Sequence, residues 1–135
     1  MVDLDDRWRR LLADGRVRWL SGMQGVGPGG YLGRVFHGSM QRVGEPPRLN
    51  GMEYIWGAGG VSLGEIRSRI VPNWCDPATI GALLGLVRER EPLASACGRG
   101  GYWEVVGSPM EPPPHRILGL GSTEAEALIA ALESM

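Results

Sequence analysis

Two helix starts in the second half of the chain constrain its fold more than any other feature. In Asp76-Pro77-Ala78-Thr79-Ile80-Gly81-Ala82-Leu83-Leu84, the Asp carboxylate is placed to accept hydrogen bonds from the free amides of a first turn. Proline at the first helical position gives up an amide that would be unpaired anyway. In Ser122-Thr123-Glu124-Ala125-Glu126-Ala127-Leu128-Ile129, Thr123 and Glu126 have the spacing of a capping box. The first start predicts a helix over about residues 77–90 that stops before Pro92, with Ile80, Leu83, Leu84 and Val87 as its apolar stripe. The second predicts a closing helix that buries Ala125, Leu128, Ile129 and Leu132. Between them, residues 101–106 read as a strand with Trp103 and Val105 on one face, and residues 116–119 as its partner across a proline-rich connection.

The first half carries one clear helix and one hairpin. Leu4, Trp8, Leu11 and Leu12 recur at helical spacing over residues 4–14, with Gly15 suited to the exit. In Arg16-Val17-Arg18-Trp19-Leu20 the alternation predicts a strand, and Gly25-Val26-Gly27-Pro28-Gly29-Gly30 a turn that returns through a strand over Tyr31 to Phe36. From residue 37 to 71, Gly44-Glu45-Pro46-Pro47, Asn50-Gly51 and Gly57-Ala58-Gly59-Gly60 break every periodic segment, so a long elaborated loop region is expected. Met52 to Trp56 fits a strand, and Leu63 to Ile70 a short helical or extended segment. The expected fold is α+β: a small antiparallel sheet with an N-terminal helix and two capped helices packed on it. It forms one domain over residues 1–135, divided into a helix plus hairpin (1–36), the loop region (37–71) and a helix-strand-strand-helix unit (72–135).

Charge narrows the partners. Fourteen basic and fifteen acidic residues give a formal net charge of -1, which argues against an extended nucleic-acid track or an anionic membrane surface. Every basic residue is Arg, so each cation is a planar fork able to grip phosphate or carboxylate through two bonds and to stack on aromatic faces. Cys75 and Cys97 lack a Cys-x-x-Cys spacing, so no metal site is expected and reduced thiols are the default. The acidic Met1-Val2-Asp3-Leu4-Asp5-Asp6-Arg7 opening and the want of a long apolar run point to the cytoplasm.

No catalytic set converges. His37 and His115 have no carboxylate at a characteristic spacing, Ser39 sits outside a nucleophile-elbow pattern, and there is no P-loop. The glycine-rich 25–30 segment lacks the following helix that makes phosphate loops work, so a plain turn is expected. Cys75 lies near a helix start, but the adjacent Asp76 carboxylate opposes its activation. No enzyme activity and no cofactor are expected. What remains is binding: Arg16, Arg18 and Arg34 would share the polar side of the N-terminal hairpin, with Trp56 and Trp74 in or beside irregular segments. Guanidinium groups on phosphates and an indole on a base would hold a nucleotide-like ligand. Gly81 and Gly85, four apart in a predicted helix, suggest that a sheet, another helix or a second subunit packs close to that backbone, and a homo-oligomer is expected.

The run from Pro72 to Glu89, the strand carrying Trp103 and the closing Ser122 to Glu133 helix are together similar to small proteins of phages and prophages, in particular the group described as the phage ABA sandwich domain. The resemblance covers residues 72–134. It implies a phage or prophage origin and a compact α/β layer, and the group carries no settled activity. The resulting expectation is a counter-defence protein in the bacterial host cytoplasm that sequesters a small nucleotide-derived immune signal without chemistry. The alternatives are an inhibitor that covers a host defence protein and an enzyme acting on nucleotides.

Overall fold

The computed structural model describes residues 3–27, 31–36, 39–42, 70–110, 112 and 114–135. Its elements run in the order α1 (Leu4–Ala13), β1 (Gln24–Gly27), β2 (Tyr31–Phe36), β3 (Ser39–Arg42), β4 (Val71–Pro72), α2 (Pro77–Arg88), β5 (Ser95–Gly98), β6 (Trp103–Val106), β7 (Ile117–Gly121) and α3 (Glu124–Glu133). The fold is α+β with antiparallel pairing throughout, and the strands divide into a four-stranded sheet, β3-β2-β1-β4, and a three-stranded sheet, β5-β6-β7. Two compact units result, one of residues 1–17 with 80–135 and the other of residues 18–79.

The first unit is built around α3. Thr123 caps this helix, its hydroxyl accepting from the Glu126 amide at 3.1 Å, while the Glu126 carboxylate takes a bond from the Ser122 hydroxyl instead of closing a full capping box. Ala125, Ala127, Leu128, Ile129, Ala131 and Leu132 are buried. Gly119 and Gly121 let β7 lie directly on α3, since a Cβ at Gly119 would meet the Ala127 carbonyl oxygen and the Ala131 amide nitrogen. Helix α1 also packs against α3, with Trp8 and Leu11 buried, and its Arg7 guanidinium holds the Glu133 carboxylate at 2.6 Å. Asp3 caps α1 through the Asp6 amide at 2.9 Å. In α2 the buried residues of this unit are Leu83, Leu86 and Val87, while Ile80 and Leu84 are half-buried, so the apolar stripe is rotated from the one the spacing predicts.

In the second unit, β1 and β2 form the expected hairpin, with Gln24 opposite Arg34 and Gly27 opposite Tyr31. The hairpin's first strand is not the predicted 16–20 segment. That segment does bury Val17 and Trp19 and expose Arg16 and Arg18, but its backbone joins no ladder. Pairing with β2 begins instead at Gly22, whose amide donates to the Val35 carbonyl at 2.9 Å. Side-chain alternation reports which face is buried and says nothing of which backbone bonds are made. Gly25, expected from the sequence in the turn, is a strand residue, and its missing side chain leaves room for Ile70 and Met40, each within 3.0 Å of where a Cβ would stand. The expected strand over Met52 to Trp56 lies outside the described residues.

Candidate functional site

The three arginines expected on the hairpin fall in two units, Arg16 in the first and Arg18 and Arg34 in the second. Arg16 belongs to the first unit and donates from Nη1 to the Glu133 carbonyl at 2.8 Å, covering a bare acceptor at the C-terminal end of α3. Arg18 lies exposed between the buried Val17 and Trp19. Arg34 is drawn inward to Asp76, with bonds of 3.2 Å from each of its terminal nitrogens to the carboxylate, and donates at 2.6 Å to the Gly22 carbonyl. Trp74 is half-buried in the turn before α2, and Trp56 lies outside the described residues.

Asp76 therefore works as more than a helix cap. Its Oδ2 accepts from both the amide and the hydroxyl of Thr79, each at 2.9 Å, while the same carboxylate receives Arg34. Arg34 first, and the Thr79 bonds after it, hold the Asp76 carboxyl below the usual carboxylate range against the opposing effect of burial. Thr79, fully buried, passes the network on by accepting from the Gln24 amide at 2.9 Å, and the Gln24 side-chain carbonyl accepts from Asn73 Nδ2 at 2.6 Å. These bonds pin β1, β2 and the start of α2 together, and they occupy the guanidinium that sequence reasoning offers to a ligand.

Chemistry-bearing side chains do converge on the β5–β6 hairpin. Cys97 pairs with Glu104 in register, and beyond them the Arg99 amide donates to the Tyr102 carbonyl at 2.8 Å across a turn in which Gly100 and Gly101 take φ of 71° and 145°. The two-residue period of a strand puts Cys97, Arg99, Tyr102 and Glu104 on one side of the hairpin. On the opposite side lie Trp103 and Val105, the register partners of the two glycines that meet α3. Glu104, only 8% exposed, accepts from Arg99 Nε at 2.6 Å. That bond, then the field of the same carboxylate, holds the Arg99 guanidinium above its ordinary range, and Cys97 and Tyr102 act in the same direction.

The result is a positioned cation. Glu104 occupies the Nε edge of Arg99, and among the described residues no acceptor lies against Nη1 or Nη2. The free end of a guanidinium matches two oxygens of one phosphate or carboxylate group. Tyr102, 47% exposed, offers a ring beside it, and Leu120, opposite Glu104 on β7, an apolar flank. Sequence reasoning misses this site because Cys97-x-Arg99 and Tyr102-x-Glu104 belong to separate short segments, and β5 carries no local strand pattern. The signal that finds it is the pair of glycines between them, which closes a tight hairpin and brings both segments to one face. Cys75 and Cys97 are free thiols, and no cluster of metal-ligating side chains occurs among the described residues.

Comparison with known proteins finds no matching family model, no matching curated protein and no matching solved structure. Among the described residues no helix is long and apolar enough to cross a membrane.

Proposed function

We propose that this protein is a non-catalytic binding protein that holds a small phosphate-bearing, nucleotide-like ligand on the β5–β6 hairpin. The observation that carries the reading is Arg99, fixed through Nε by a buried carboxylate while, among the described residues, no acceptor lies against its Nη1 and Nη2 end beside the Tyr102 ring. Fixing the guanidinium in advance lowers the ordering cost of capture, and a tyrosine beside it suits a base of any identity. The resemblance of residues 72–134 to the phage ABA sandwich group supports a setting in the cytoplasm of an infected bacterium, where sequestering a nucleotide signal of host defence would serve a phage.

A thermal-shift screen against cyclic di- and trinucleotides, ADP-ribose derivatives and NAD tests the reading, with mass spectrometry of the retained ligand. A ligand at one hundred times its dissociation constant adds about 2.7 kcal/mol. The shift should disappear in Arg99→Ala and the ligand should be recovered intact; a chemically altered ligand would make the protein an enzyme. One observation favours a second reading. Leu93, Met110, Ile117 and Leu120 of the first unit are 44–87% exposed, an apolar supply suited to a host protein surface. Silence across the nucleotide screen, with a stable host complex lost in Leu120→Asp, would decide for the inhibitor.

A further inference from the structure

We infer that Glu104 makes the hairpin site selective for a phosphate group with a single negative charge, a phosphodiester, over phosphomonoesters and polyphosphates. The inference rests on the ligand-binding reading above and adds a rule for which nucleotide is held. Arg99 is the sole cation in residues 95–106, and its charge is already matched by Glu104 at 2.6 Å. The carboxylate cannot swing away to water at low cost, because Glu104 is 8% exposed and is fixed in register between Cys97 and Leu120.

A ligand's first negative charge gains two charge-assisted bonds from the open end of the guanidinium, which offsets repulsion by the carboxylate behind it. Each further charge meets that same carboxylate without gaining a second cation on the hairpin. For charges roughly 7 Å apart near a protein surface, screened by salt, this repulsion is worth about tenfold in affinity per added charge. The adenine or guanine of such a ligand would lie on Tyr102, whichever nucleotide carries the phosphate.

The test is an affinity ladder on the full chain with 3′,5′-cyclic AMP, AMP, ADP and ATP, which share a base and rise from about one to about four negative charges. Wild-type affinity should fall about tenfold at each step, and Glu104→Gln, which keeps an acceptor for Arg99 Nε while removing the charge, should flatten or reverse the order. ATP binding as tightly as cyclic AMP in the wild type, or a Glu104→Gln ladder with the wild-type slope, would overturn the inference while leaving ligand binding intact. No binding by any of the four would overturn the inference, while the binding reading stands or falls separately on the thermal-shift screen. If Glu104→Gln does not fold, the wild-type ladder at low and high salt decides: a charge-based slope shrinks with salt, and a slope that does not is evidence against it.

Discussion

Gly119 and Gly81 show how differently the same residue serves two helices. A methyl group at Gly119 would strike the backbone of α3, so Gly119→Ala should cost about 2–4 kcal/mol in urea unfolding. Gly81, on the exposed side of α2, has nothing among the described residues within 4 Å of where a Cβ would stand, and Gly85 is the same. The close packing expected there is therefore not made within the described chain. Gly81→Ala should instead stabilise by about 0.5–1 kcal/mol, through helix propensity and a less entropic unfolded state. Periodicity singles out Gly81 and Gly85 and passes over Gly119 because it exposes an oddity inside a helix, whereas a glycine in a strand becomes informative only once its cross-sheet neighbour is known. Asp76 is legible as a cap, but its second partner, Arg34, lies 42 positions away, beyond any local signal. Asp76→Asn keeps a capping oxygen and loses the charge pair, so it should cost less than Asp76→Ala, about 1–2 against 2–4 kcal/mol by chemical denaturation.

Caps and turns are the legible part of the elements. All three helices start where the sequence places them, because Asp3, Asp76 and Thr123 act on amides only three residues away. Thr123→Ala should accordingly lower stability by about 1 kcal/mol, read from the helical circular-dichroism melt. Strand pairing is less legible: residues 16–20 have the alternation of a strand without its bonds, while β5, Ser-Ala-Cys-Gly, has the bonds without an apolar pattern. Arg16, a ligand candidate in the sequence, instead caps α3, a role visible only when α1 and α3 are neighbours. Arg16→Ala should reduce stability by about 0.5–1 kcal/mol while leaving nucleotide affinity unchanged, which separates its role from that of Arg99. At the outer edge of β7, the Ser134 hydroxyl donates to the Leu118 carbonyl at 2.9 Å, so one acceptor that a foreign strand would seek is already taken.

Acid should weaken the whole chain in a defined direction. Asp76 and Glu91 are both held below the usual carboxylate range, chiefly by Arg34 and Arg116 respectively. Groups lowered in the folded state contribute stability that is complete above the unfolded carboxylate range and is lost as pH falls through their lowered folded values. Melting temperature should therefore drop between about pH 5 and pH 2, and the drop should be smaller in Asp76→Asn. The α+β class is legible because it follows from local patterns, while the division of the strands into two sheets is not, since it depends on pairings across long separations. One such separation governs how the protein is made. Arg7 and Glu133 meet across 126 positions, and residues 18–79 form a compact unit inserted between the two parts of the other. On the ribosome, the hairpin of β1 and β2 can close as soon as its short span has emerged, but α1 must wait for nearly the last turn of α3 before Trp8 has its permanent surroundings. Helix α1 is thus buried long after it is synthesised, and its exposed tryptophan face is what a chaperone would meet in the interval.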